Sequence, residues 1–312
     1  MVTTVEPKFI DLPTGVRLHY RDWGGPSARL RTGPSARLRT GPPASLRTGS
    51  GAPLVLLHGL ASGCRIWDMM APHLVETFRV VAPDQRGHGL SDKPGSYSFA
   101  EVTADLAAFM KTLGLWPAVI AGHSWGGSVA LQFAVDHPGA VRALVLIHGG
   151  FLETSAWLTW EQAEKVMRPP AIDGMPLETF LQGARSWPDL RDLWSPQLEE
   201  MFLSNFEVRD GKVYRRLPVE QHMMIVRAIW EQRPSQLWEH VRCPVLMLPA
   251  VREEGDPQRA QWTRAKLEAI ELARGKLQHS RLVEMRDSIH DVPVQRPREL
   301  AEVITAFAAE IA

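Results

Sequence analysis

Continuous apolar runs recur along the chain at 53–60, 78–82, 118–121, 141–147 and 243–248. Runs of this length, rich in Val, Ile and Leu with no polar alternation, suit strands buried on both faces of a parallel sheet. Between them the apolar positions change to helical spacing. Residues 65–76 are helical in pattern. Residues 98–115 place Val102, Leu106, Phe109, Met110 and Leu113 on one face, with Gly114 at the end. Further helices are predicted over 128–136, from 258 to about 277, and from Pro297, where Leu300, Val303, Ile304 and Phe307 share a face. A hairpin is expected at the N-terminus, with strands at 9–12 and 16–23 about Pro13-Thr14-Gly15, and a last strand at 281–285. Strand and helix alternate, which predicts an α/β architecture: a mostly parallel central sheet with helices on both faces.

Two stretches break this rhythm. Residues 151–240 hold no long apolar strand, and their helix-like pieces are interrupted by prolines at 169, 170, 176, 188, 196, 218 and 234. They also carry Trp157, Trp160, Trp187, Trp194, Trp230 and Trp238 with five methionines. This reads as a helical insertion over the strand ends, dividing the chain into a core (1–150 and 241–312) and a cap (151–240). Its aromatic residues either pack it onto the sheet or line a pocket for an apolar substrate. Residues 25–48 repeat an octapeptide, Gly-Pro-Ser-Ala-Arg-Leu-Arg-Thr, twice and then loosely a third time. Each unit has one leucine, too little to bury against a neighbour, so a solvated loop insertion is expected rather than a solenoid. A basic arm for RNA or anionic lipid is the alternative, and it lacks interleaved aromatics.

Composition narrows the field. With 312 residues the chain can bury a large core, and its 35 basic and 35 acidic residues cancel. That balance points to neither nucleic acid nor an anionic membrane as partner. Cys64 and Cys243 are far apart without metal spacing and are expected as reduced thiols. No signal pattern or span-length apolar run is evident, so a cytoplasmic protein with a small-molecule substrate is the expectation.

The chemistry concentrates at Gly122-His123-Ser124-Trp125-Gly126, between the 118–121 run and the 128–136 helix. A strand turning directly into a helix strains the residue at the bend, and its neighbours must be nearly without side chains. The Ser124 hydroxyl then stands clear of the sheet as a candidate nucleophile, and the amide of Trp125 points at whatever it attacks. A neutral serine needs a base, and the base needs a partner to fix its tautomer. Among eleven histidines the best base is His290, in a loop between the last strand and the terminal helix. Leu60, after His58-Gly59, is the expected second oxyanion donor through its backbone amide.

His58-Gly59, the segment Asp84-Gln85-Arg86-Gly87-His88-Gly89-Leu90-Ser91-Asp92, the pentapeptide around Ser124 and the late His290 together resemble the α/β-hydrolase superfamily. The resemblance covers nearly the whole chain outside the repeat. It implies an α/β-hydrolase fold with a cap after the sixth strand, a cofactor-free serine hydrolase, and chain order serine, acid, histidine. The acid should leave the loop after Leu248, where Glu253 holds the expected position and Glu254 and Asp256 are rivals. The usual Gly-x-x-Asp is replaced there by Pro249-Ala250-Val251-Arg252-Glu253. Serine at 124 in place of aspartate disfavours epoxide hydrolases and haloalkane dehalogenases. A carboxylic ester hydrolase acting through an acyl-enzyme is the first expectation. Amide, lactone or carbon–carbon bond cleavage, or an aminopeptidase using a cap carboxylate (Glu161, Glu164, Glu199, Glu200 or Glu207), would use the same residues. A ligand receptor without turnover is the alternative from another class.

Overall fold

The computed structural model describes residues 5–26, 51–252 and 257–311. All but the first two residues of the octapeptide repeat, and the candidate acids Glu253, Glu254 and Asp256, lie outside these. The apolar runs become strands: β1 (Lys8–Asp11), β2 (Arg17–Gly24), β3 (Ala52–Leu57), β4 (Phe78–Pro83), β5 (Ala118–His123) and β6 (Val141–Ile147). Beyond the insertion come β10 (Val245–Leu248) and β12 (Ser280–Leu282). Among the described residues these eight form one sheet, ordered β1-β2-β4-β3-β5-β6-β10-β12. The β1–β2 and β2–β4 pairs are antiparallel and the rest parallel.

Alternation along β3 shows why its run carries no polar residue. Val55 and Leu57 face one core, with Phe109, Met110, Val129 and Phe133 from α1 (Phe99–Thr112) and α2 (Trp125–Asp136). Leu54 and Leu56 face the opposite core, with Trp67, Met70, Leu74 and the residues Leu300, Ile304 and Phe307 of the C-terminal helix. Each fully buried leucine contributes about 1.5–3 kcal/mol relative to exposure. Helix α1 begins at a capping box, Ser98 reciprocating with Glu101, which satisfies two orphan amide donors.

Three local expectations differ from the structure. The 65–76 stretch is not one helix but two short 3-10 turns, Cys64–Trp67 and Ala71–His73, with Pro72 inside the second; proline removes the donor a continuous helix would need. The last strand is split, so that β13 (Met285–Arg286) leaves the main sheet to pair in parallel with β11 (Ala250–Val251). The 151–240 segment is not purely helical. It contains α3 (Trp160–Met167), α4 (Leu177–Arg185), α5 (Pro196–Leu203), α6 (Val219–Glu231) and α7 (Pro234–Leu237). It also holds a small sheet, β7 (Met175–Pro176), β8 (Phe206–Arg209) and β9 (Lys212–Arg215), ordered β7-β9-β8. The β8–β9 hairpin turns on Asp210-Gly211, both at positive φ (50° and 67°). That dipeptide between apolar alternations is a strong hairpin signal.

The segment docks on the core through Arg65 to Glu200 at 2.8 Å and through the Gln232 amide on the Ser128 carbonyl at 3.1 Å. Several of its aromatic residues build its own interior: Phe180, Phe202, Phe206 and Trp194 pack ring to ring at 4.8–5.7 Å. The remaining long helix, α8 (Pro257–Lys276), leads to β12, and α9 (Val292–Gln295) and α10 (Pro297–Glu310) close the chain.

The bend at Ser124 tolerates no side chain two residues to either side of it. A Cβ on Gly126 would run into the carbonyl oxygens of Leu57 and His58, and one on Gly122 into the backbone of Gly126. Gly126→Ala is therefore expected to destabilise the fold by about 3 kcal/mol. Urea unfolding checks this against Gly139→Ala, where a Cβ meets nothing within 4 Å; equal midpoints would contradict the packing argument.

Candidate active site

Ser124 takes φ 52° and ψ −120° at the junction of β5 and α2. Its amide donates to Ile147 O at 2.9 Å and its carbonyl accepts from Gly127 N at 2.9 Å, so both neighbours in the sheet and helix hold it there. Ala61, His148 and Asp287 are also non-glycine residues at positive φ. Four of the five such residues described thus sit in loops at strand ends around Ser124, the fifth being the hairpin residue Asp210. Strained backbone of this kind persists where surrounding contacts over-determine it, and it gathers at functional sites.

The loop after β13 brings His290 to this serine. Its Nε2 lies 3.0 Å from Ser124 Oγ, and its Nδ1 lies 2.9 Å from Asp291 Oδ1. With Nδ1–H donating to the carboxylate, Nε2 is left as the acceptor for the serine hydroxyl proton. The imidazole side chain is 53% exposed, reachable from solvent. Below it, buried His123 donates Nε2–H to the His290 carbonyl at 2.9 Å and lies 3.8 Å from Asp291 Oδ1. His148 stands edge-on to His290, with ring centroids 5.0 Å apart. Burial would raise the Asp291 carboxyl, but the hydrogen bond and charge of His290, with His123 behind, hold it below its ordinary value. Asp291 is thus ionised at neutral pH and able to stabilise an imidazolium.

The oxyanion side is set by β3 and β4. Gly59 approaches so closely that a Cβ there would sit 3.2 Å from Ser124 Cβ. Among the described residues, no backbone hydrogen bond outside helices and strands uses the amide of Leu60 or of Trp125. The loop is anchored by His58, whose Nδ1–H donates to Gly59 O at 2.8 Å and whose Nε2 accepts from Gln85 N at 2.9 Å. Beneath it Asp84 accepts from His19 Nδ1 (2.7 Å), Cys64 N (2.6 Å) and Leu90 N (3.0 Å). Burial alone would raise Asp84, yet the hydrogen bond and charge of His19, with His58 and the Cys64 amide, hold it well below the usual carboxylate range. Burial, then Asp84, pushes the Cys64 thiol well up, so it is an inert group here. Two groupings, His19–Cys64–Asp84 and His123–His290–Asp291, place metal-type ligand atoms within 4.8 Å of one another. In both, the carboxylate already accepts a histidine proton.

The structure therefore brings His290 onto Ser124, with Trp125 next to the serine in the chain and Leu60 next to Gly59, which approaches it. Glu253 lies outside the described residues. Among the described residues the carboxylate standing on His290 Nδ1 is Asp291, a residue the sequence reading did not weigh because it sought an acid one strand earlier. An ionisable residue directly beside the candidate base was the available signal. His123 and His148, which no sequence motif singled out, stand edge-on against the His290 ring.

The family model for the alpha/beta hydrolase fold matches residues 52–250. The chain belongs to the α/β-hydrolase family. Among its relatives, a soluble epoxide hydrolase of Corynebacterium sp. (strain C12) is 41% identical over 99 residues, covering 31% of this chain and 35% of the relative. A 2-(acetamidomethylene)succinate hydrolase of Mesorhizobium japonicum is 36% identical over 109 residues, 34% of this chain and 39% of that one. The chain spans only about a third of the length of these relatives. A solved E-2-(acetamidomethylene)succinate hydrolase superposes with a TM-score of 0.73 at 21% identity, covering 98% of this chain and all (100%) of that one. No described helix of this α/β-hydrolase is long and apolar enough to cross a membrane.

Buried histidines in this site make its stability pH-dependent. Burial first, then neighbouring His58, pulls His88 down to about 3; burial and the charge of His290 pull His123 down to about 4. Their unfolded values sit near 6.5, so below that pH the unfolded chain binds protons that the folded chain refuses. Stability is fully present above pH 6.5 and falls on acidification toward pH 4, by up to about 1.4 kcal/mol per pH unit for each residue. Urea midpoints at pH 7.5, 6.0 and 5.0 test this: the fall should be shallower in His88→Gln, and an unchanged slope would refute the assignment.

Proposed function

We propose that this α/β-hydrolase cleaves a carboxylic ester of a small, mainly apolar substrate through an acyl-enzyme on Ser124, without a cofactor. The observation that carries the reading is the 3.0 Å contact between Ser124 Oγ and His290 Nε2. As Oγ attacks the scissile carbonyl, its proton passes to His290 Nε2, and the ionised Asp291 stabilises the imidazolium from the Nδ1 side. The amides of Leu60 and Trp125 receive the oxyanion. The proton then goes to the leaving alkoxide. Water activated by the same Nε2 hydrolyses the acyl-serine and restores both groups.

The chemistry of a serine nucleophile separates this from the activity named for the epoxide hydrolase relative. A serine that opened an epoxide would be left as an ether, which an imidazole-activated water cannot hydrolyse. An attack on a carbonyl leaves an ester, which it can. Four of the five cap carboxylates that could hold a free amine are already paired, which weighs against a peptidase: Glu164 with Arg168 (2.7 Å), Glu199 with Arg185 (2.9 Å), Glu200 with Arg65 (2.8 Å) and Glu207 with Arg209 (3.5 Å), leaving Glu161. Ester, amide, lactone and carbon–carbon hydrolases share the Ser124 machinery, and the inserted segment would select among them as a cap.

With p-nitrophenyl acetate a burst of one equivalent of nitrophenol is expected, and Ser124→Ala should abolish both burst and turnover. Turnover retained in that variant would remove the proposal. Asp291→Asn should lower kcat by about a hundredfold or more with little change in KM, since a wrongly protonated imidazole cannot accept the serine proton. A near-normal kcat for Asp291→Asn, with collapse in Glu253→Gln, would assign the acid to the loop after β10 instead.

A further inference from the structure

Lys266 is an anomaly that the hydrolytic steps leave unexplained. It lies in α8, its residue surface is 7% exposed, and among the described residues no carboxylate pairs with it. Its ammonium donates to one protein acceptor, the Ala250 carbonyl, at 2.7 Å. Burial pulls its pKa down to about 8, so it is still mostly charged at neutral pH. A buried cation without a carboxylate partner among the described residues is poorly explained by stability.

Its partner Ala250 is held from the other side as well. The Ala250 amide donates to His148 Nδ1 at 2.9 Å. His148 sits at φ 50°, with its own amide bound to Leu248 O at 2.9 Å, so its ring is delivered by a strained turn at the end of β6. One residue is thus held at both its backbone polar groups, the N–H of Ala250 by an imidazole and its C=O by an ammonium. That residue begins β11, which pairs with β13 in the register Ala250 to Met285 and Val251 to Arg286. Met285 N bonds Pro249 O at 2.8 Å, and Ser288 N reaches Val251 O at 3.4 Å. The next residues are Ile289 and His290.

We propose that His148 and Lys266 are positioning residues, a two-sided clamp on Ala250 that sets the height of the β11–β13 pair and through it the His290 imidazole. The proposal rests on the serine-hydrolase reading. The clamp also explains why Lys266 carries charge. His148 can accept from Ala250 only while its Nδ1 is unprotonated. Burial first, then the neighbouring groups His290, Lys266 and His123, disfavour its protonation. An apolar residue at 266 would lose the donor to Ala250 O and weaken the pressure that keeps His148 neutral.

The test compares Lys266→Met, His148→Asn (asparagine tolerates the left-handed backbone) and the double variant in the full chain, with p-nitrophenyl acetate as substrate. For Lys266→Met an unchanged or raised Tm is expected, because the desolvation cost of a buried charge is removed. Its kcat should fall about tenfold, with KM within about twofold. The double variant should lose no more than the worse single, because both act through one peptide. An unchanged kcat in Lys266→Met, a Tm and kcat that fall together, or single losses that multiply in the double variant would each overturn the clamp. Imidazole 15N NMR of the same proteins reads His290 without any substrate. Displaced His290 signals in both variants support the clamp even if the wild-type chain proves unable to turn over esters; unchanged signals overturn it.

Discussion

The backbone at Ser124 is the constraint on which the site depends. A non-glycine residue at φ 52° is unfavourable by itself, and it persists because three strands converge on it. Strand β6 accepts its amide at Ile147, β3 presses Gly59 to within van der Waals contact of its side chain, and Gly122 and Gly126 leave no room to relax. The strain turns the hydroxyl out of the sheet and aims the start of α2 at the same point. Sheet order follows from the same requirement, since β3, β5 and β6 must be adjacent for these contacts to exist.

Around that bend the histidines are sorted by environment. His58, His88, His123 and His148 are all held below their ordinary values, in each case chiefly by burial. Each is therefore a neutral, tautomer-fixed spacer at physiological pH. His290 differs in being half-exposed and in facing an ionised carboxylate. It is the one of these rings that reaches both the Ser124 hydroxyl and a carboxylate. Two of the buried rings, His123 and His148, stand edge-on against it.

The fold was legible because its signals are local and redundant. Five apolar runs, the helical spacing of Val102 to Leu113 and the strand–turn–helix around Ser124 each state their own structure, and they agree. Where the reading failed, local signal was overruled or overlooked. Pro72 broke the 65–76 helix, and the Asp210-Gly211 hairpin was hidden inside a stretch read as helical for its lack of long apolar strands. The aromatic residues of 151–240 were legible in number and not in direction. Phe180, Phe202, Phe206 and Trp194 turn toward one another, which no periodicity within short, proline-broken pieces specifies.

The chain alone determined the elbow, its serine, the apolar core and the late histidine, because a bend that admits only glycine neighbours and a run that admits only burial leave their requirements in the residue types themselves. Tertiary structure decided which carboxylate meets His290 and what walls its ring. Those contacts join residues 167 apart (His123 to His290) and one apart (His290 to Asp291), and the bonded pair His148 and Ala250 are 102 apart. Aspartates and histidines are suited to many surroundings, so their identity does not say where they point. Only the split of β13 away from the main sheet, and the loop geometry that follows, sets which of them arrives within hydrogen-bonding distance.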